Sequence, residues 1–286
     1  MSVSGPPGQE RRVGVDPGII LDPEASTATR HFTSIGTGCS TMADVRVRTP
    51  VELDEPTMVE GLPGVGLVGK IATDHLIASL DMVHHANLHC DSIPPVAMYE
   101  EGAGELQTPV RLYAAPEEDL LALRSDVPVS PAAARAFADC LDEHLDGNAA
   151  FPVYLSGIPR EAVDEVPSLY GVGVSEGVDR VADAGIDEPT EAGIVSGPTG
   201  ALLNHAIESE SSAAGLVVET DPRFPDPGSA RVLIKQGIEP LAGVEVSVEN
   251  LVERADEIQD ARERLAKRMQ EADEESTQAQ PLRMYQ

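Results

Sequence analysis

Basic residues are scarce in this chain of 286. Twenty lysines and arginines stand against 49 acids, and only Lys70, Lys235 and Lys267 are lysines. A surface with a net charge of -29 repels phosphate, which argues against nucleic-acid binding. The acids are spread along the whole chain and not massed in one block. That pattern suits a solvated surface in concentrated salt, where like-charge repulsion is screened, and the expectation is a halophilic cytoplasm. Cysteine is rare too. Cys39, Cys90 and Cys140 are odd in number and far apart, so no disulfide framework is expected, and a reducing compartment fits. No apolar run of about 18 residues is present to span a bilayer. Nor does a basic-then-apolar N-terminus mark the chain for export.

What is present falls into two polar ends around one body. Residues 1–41 are rich in Gly, Pro, Ser and Thr without apolar periodicity, and are expected to be disordered. Met42 is followed at once by strand-like Val45 to Val51, so translation beginning at Met42 is a second expectation for this leader. From Thr57 the pattern alternates between β and α. This predicts an α/β domain over 42–272 with a mostly parallel sheet flanked by helices. Strands are expected at Thr57 to Glu60, Val83 to His89, Val96 to Tyr99, Val110 to Ala114, Leu120 to Arg124, Pro152 to Leu155, Ala192 to Val195 and Leu216 to Glu219. Helices are expected from Val65 to Leu80, with Val68, Ile71, Ala72 and Leu76 facing inward, and from Ser130-Pro131 to Leu145. Further helices are expected over Gly200 to Ser209, Gly228 to Ile238 behind the Asp226-Pro227 cap, and Val248 to Ala272. The last carries an apolar stripe (Leu251, Ala255, Ile258, Leu265, Met269) that fits packing on its own domain or an oligomer seam.

The sharpest local motif lies between the first long strand and its helix. Gly64, Gly66 and Gly69 spell G-x-G-x-x-G, with Asp91 at the spacing of a ribose-binding acid, a dinucleotide pattern. Gly64 through Lys70 also spell G-x-x-x-x-G-K, but Ile71 stands where a phosphate loop needs Ser or Thr for magnesium. A third reading is purely structural, because glycine lets a strand turn sharply into a helix lying close on the sheet. His84, His85, His89 and Cys90 crowd together, but alternation along a strand puts them on opposite faces, which supplies no closed metal site. Ser156 and Ser196 sit beside glycines without forming a G-x-S-x-G elbow. Acid pairs such as Glu100-Glu101 and Glu117-Glu118 are ordinary in so acidic a chain. No catalytic centre, metal or cofactor follows from these residues.

The stretch from Glu60-Gly61-Leu62-Pro63-Gly64 through Lys70, followed by Asp74-His75-Leu76, resembles the opening of the archaeal proteasome assembly chaperone family. Pro94-Pro95, Ser196-Gly197-Pro198-Thr199-Gly200-Ala201-Leu202-Leu203 and Pro225-Asp226-Pro227 are similar to later stretches of that family, in the same order. The resemblance covers roughly Asp44 to Met269; the leader departs from it. It implies an α/β fold related to nucleoside phosphorylases, no catalytic centre, self-association, and proteasome subunits as partners. It also favours the structural reading of the glycine turn over the alternative of a nucleotide- or nucleoside-binding enzyme.

The tail over 273–286 is acidic, amide-rich and small until its end, a composition that buries too little to fold. It closes on Met284, Tyr285 and Gln286. A flexible thioether, an aromatic ring and a carboxylate suit a pocket with apolar walls and a cation, although a frayed end is the plainer reading. This ending resembles the hydrophobic-Tyr-X motif by which proteasome activators and some archaeal members of the family dock between outer-ring subunits. The resemblance implies Met284 and Tyr285 in the apolar groove, and the Gln286 carboxylate paired with a base on the ring.

Overall fold

The computed structural model describes Met1 and residues 43–251, apart from 91, 92, 100, 101, 103, 148, 161–165 and 250. The expected leader, the expected helix beyond Leu251, the tail and Asp91 therefore lie outside the described residues. Within them the strands are β1 (Ala43–Val47), β2 (Thr57–Gly61), β3 (Val83–Cys90), β4 (Val110–Ala115), β5 (Leu120–Ser125), β6 (Phe151–Pro159), β7 (Leu169–Val174) and β8 (Ala213–Thr220). The α-helices are α1 (Val68–Ser79), α2 (Pro131–Gly147), α3 (Gly177–Asp183), α4 (Gly197–Ser209), α5 (Pro227–Val232) and α6 (Glu239–Ala242). A 3-10 turn over Val65–Leu67 leads into α1, and a π-helical turn over Leu233–Ile238 joins α5 to α6.

All eight strands form one sheet in the order β1-β3-β4-β5-β2-β6-β8-β7. The expectation of a mostly parallel sheet is corrected. Four pairings are antiparallel (β1 with β3, β3 with β4, β4 with β5, β7 with β8). Three are parallel, and they lie together in the middle: β5 with β2, β2 with β6, β6 with β8. The cause is connection length. Only Pro116 to Asp119 separate β4 from β5, and a link that short closes a hairpin, whereas a parallel pair needs a crossover of a dozen residues or more. Two expected strands are also corrected. Around Val96 to Tyr99 only Met98 pairs, through an isolated bridge to Gln107, and Ala192 to Val195 joins no strand of the sheet. In turn, β7 and α3 were not expected.

Each sheet face is covered by apolar helix faces. On one side Val59, Ala122, Leu155 and Leu216 pack with Val68, Ala72 and Leu76 of α1 and with Leu233 and Ile234. Val68, Ala72 and Leu76 recur every four residues and so lie one above another on a single stripe. On the other side Met58, Leu121 and Leu123 meet Phe137, Ala138, Leu141 and Leu145 of α2 and Leu202 of α4. Period-two alternation accounts for the split, since Met58 and Val59 are neighbours on β2 and serve opposite cores. Leu76 is fully buried at the centre of the first core, so Leu76→Ala leaves a cavity there. The expected cost is about 2–5 kcal/mol, read as a lower urea midpoint at unchanged slope.

Candidate functional site at the carboxyl ends of the parallel strands

The carboxyl ends of adjacent parallel strands are where α/β sheets commonly hold ligands, because the loops diverge there. In this chain the ends of β2, β6 and β8 are instead tied together by the chain's own groups. Glu60, an acid between Val59 and Gly61 on a wholly buried strand, is the centre of that tie. Its Oε1 accepts from the Leu62 backbone N–H at 2.8 Å, and its Oε2 from the Leu155 N–H of β6 at 3.2 Å. The Thr199 hydroxyl, in the first turn of α4, lies 3.3 Å from both carboxylate oxygens. Burial pushes the Glu60 pKa up from 4.5 to about 7, against the hydrogen bonds from Leu62, Leu155 and Thr199, which favour the charge. When the group is protonated, the rotatable Thr199 hydroxyl is placed to accept its proton.

The glycine turn follows directly. Gly66 has φ +63°, and a Cβ there would stand 2.2 Å from Thr220 Oγ1 at the end of β8. The Gly66 carbonyl accepts from the Asp226 N–H at 2.9 Å. Thr220 donates its hydroxyl to Asp226 Oδ2 at 2.8 Å, while Asp226 Oδ1 caps α5 by accepting from the Ser229 N–H at 3.0 Å. Gly69 faces Leu155, where an added Cβ would sit 3.2 Å from that side chain's Cβ. Two of the three motif glycines thus give closeness to the protein itself. Thr220 stands directly against the α-carbon of Gly66.

Lys70, the lysine of the phosphate-loop pattern, is engaged as well. Its Nζ lies 2.9 Å from Asp74 Oδ2 and 3.0 Å from Asp126 Oδ1. Asp126 also meets the fully buried Arg111, and Arg124 at 3.3 Å. Burial alone would raise the Asp126 carboxyl; the Lys70 ammonium first, then Arg124 and Arg111, outweigh it and hold the pKa below the ordinary value. This network ties α1 to β4 and β5. The histidines are separated by a register shift between His84 and Ala86 and not by the simple alternation expected: His84 stacks on Tyr113 with ring centroids 5.3 Å apart, while His85 Nδ1 lies 2.9 Å from the Thr49 carbonyl. Among the described residues no group of three or more His, Cys, Asp or Glu is arranged to hold a metal. No helix among them is long and apolar enough to cross a membrane.

The structure therefore brings together Glu60 and Gly66, Thr199 and Asp226, which belong to three separate stretches of the sequence. Met284, Tyr285 and Gln286 lie outside the described residues. Thr220 was missed by sequence reasoning, since a threonine closing a strand carries no signal of its own. Glu60 had one, an acid inside an apolar strand, but its partner 139 residues away was not readable.

Because the Glu60 pKa is higher folded than unfolded, folding takes up a proton between pH 4.5 and 7. The contribution is complete below pH 4.5 and is lost as pH rises through about 7. Its size is about 3 kcal/mol. Glu60→Gln removes this dependence, so the stability of the variant relative to wild type should climb from pH 5 to pH 8 in parallel urea titrations. A constant difference across that range would show that Glu60 does not titrate there.

The chain is 29% identical over 222 residues to an uncharacterised protein of Methanocaldococcus jannaschii, covering 77% of this chain and 89% of the relative. It superposes on the crystal structure of Pyrococcus furiosus PbaA, described as an archaeal homolog of proteasome-assembly chaperone. The TM-score is 0.68 at 26% identity, over 81% of this chain and 99% of that one. Pyrococcus furiosus PbaB, described as an archaeal proteasome activator, shares the fold with a TM-score of 0.68 at 20% identity, over 79% of this chain and 99% of that one. The PAC2 family model matches residues 58–266, well over half of the chain, and the protein belongs to the PAC2 family.

Proposed function

We propose that this protein is a non-enzymatic proteasome assembly chaperone or ATP-independent proteasome activator, acting in a salt-rich cytoplasm as a homo-oligomer. The likeness to PbaA over nearly that protein's whole length, together with family membership, is the observation that carries this reading. The kinship of the α/β body with nucleoside phosphorylases is part of the same proposal. The glycine turn, closed by Thr220 and Asp226, then serves as scaffold.

In this reading the partner is the outer ring of the proteasome core, and contact is made by Met284, Tyr285 and Gln286. Met284 and the Tyr285 ring fill an apolar groove between ring subunits, and the Gln286 carboxylate pairs with a base there. From Asp273 to Tyr285 a fully extended tether reaches roughly 40 Å, enough to leave the body and find the ring. Several such hooks on one oligomer bind far more tightly than one, through effective concentration.

Removal of Met284, Tyr285 and Gln286 is expected to abolish co-purification with the proteasome core in high salt while leaving the melting curve and oligomer unchanged. Undiminished co-purification would reject the docking role. The alternative, a nucleotide- or nucleoside-binding enzyme using Gly64 to Lys70, is tested by calorimetry with NAD, ATP and nucleosides. No saturable heat is expected, and binding that Gly66→Val abolishes would overturn the assignment.

A further inference from the structure

Tyr154 of β6, Val174 of β7 and Ala213 of β8 pack into the core beneath α2 and α4. Period-two alternation puts Ser156, Ile158, Tyr170, Val172 and Val217 on that same face, nearer the carboxyl ends of β6 and β8. No helix roofs them. The connection 189–195, between α3 and α4, passes over the sheet instead, and the two enclose a cavity of about 300 Å³. All five of these sheet residues line it, and each is half-buried. Ser156 pairs with Val217 and Val217 with Tyr170, so one row across three strands carries a hydroxyl at each end and an apolar side chain between. That row is about 10 Å wide. Among the described residues neither hydroxyl makes a hydrogen bond. At one end of the cavity the Arg160 guanidinium stands 3.0 Å from Glu219 and 3.5 Å from Glu191 of the roof. An apolar floor, two hydroxyls and charges of both signs thus face one small space.

We propose that this cavity binds a free α-amino acid with an apolar side chain. The side chain covers Val217, Ile158 and Val172, the carboxylate meets Arg160, and the ammonium meets Glu191. Charge selects that occupant. A plain carboxylate would add a third anion beside Glu219 and Glu191, and a plain amine would face the Arg160 cation. A carboxylate and an ammonium on one carbon match a cation and an anion that stand side by side, whereas a peptide end carries only one of the two. The contact between Arg160 and Glu191 is long, and their side chains are 40% and 75% exposed, so a ligand opens it at little cost. The Ser156 and Tyr170 hydroxyls are left to donate to the ligand or accept from it. Size points the same way, because ligand pockets run from about 300 to 1,000 Å³ and this one stands at the lower end. The site is separate from the tail and does not depend on the proteasome reading.

Calorimetric titration of the full chain with L-valine, L-leucine and L-phenylalanine, at the lowest salt that keeps it folded, tests this. Saturable heat with at least one of them, at one site per chain, is expected. For leucine the single-charge analogues are 4-methylpentanoate and 3-methylbutylamine, and glycine lacks the apolar side chain; each should bind about tenfold more weakly or worse. Arg160→Gln should weaken the amino acid about tenfold or more without weakening the amine. Tyr170→Phe should weaken it about 2–10-fold. Melting curves establish that both variants fold, and if Arg160→Gln does not, Tyr170→Phe decides alone. Absence of saturable heat with all three amino acids overturns the proposal. So does an analogue that binds as tightly as the amino acid, or binding that the folded variants leave unchanged.

Discussion

A carboxyl group taken wholly out of water must be neutral or fully hydrogen-bonded, and both oxygens of Glu60 accept hydrogen bonds. Two backbone N–H groups and one hydroxyl converge on it from the glycine turn, from β6 and from α4. An unpaired group in its place would carry the full desolvation cost. Each segment is therefore held at the site by the same carboxyl group, and displacing it leaves the Leu62 and Leu155 backbone N–H groups without this acceptor. The positions of the turn after β2 and of the start of α4 depend on this contact.

From that anchor the chain builds outward. Thr220 fills the space beside Gly66, Asp226 holds Thr220 and caps α5, and the Gly66 carbonyl closes the circuit by accepting from Asp226. At Gly66 the space beside the turn and its carbonyl are committed to the protein. That is why a motif shared with cofactor-binding loops does structural work here, and why the proposed activity falls to surfaces and to the tail.

Much of the scaffold was legible locally. The four-residue recurrence of Val68, Ala72 and Leu76 located α1, the Asp226-Pro227 cap located α5, and apolar runs located β2 to β6 and β8. Legibility ended where partners decide the outcome. Ala192 to Val195 has the composition of a strand, yet β7 took the edge beside β8 and left it unpaired. In the opposite direction Leu169 to Val174, broken by Gly171 and Gly173, carries little strand signal and owes its conformation to pairing along β8.

The sequence by itself determined the charge, the helical stripes, the caps and the ordered set of glycine and proline stretches that resemble one family. Those properties are local, since a period or a cap is complete within a few residues. Only the tertiary structure decided that the sheet is mixed, with its parallel strands confined to the centre. It alone decided that Glu60 meets Thr199 and that Thr220 closes the glycine turn. Each of these joins residues far apart in the chain. Their meeting is set by the burial and hydrogen bonding of the whole sheet, which no single stretch of sequence encodes.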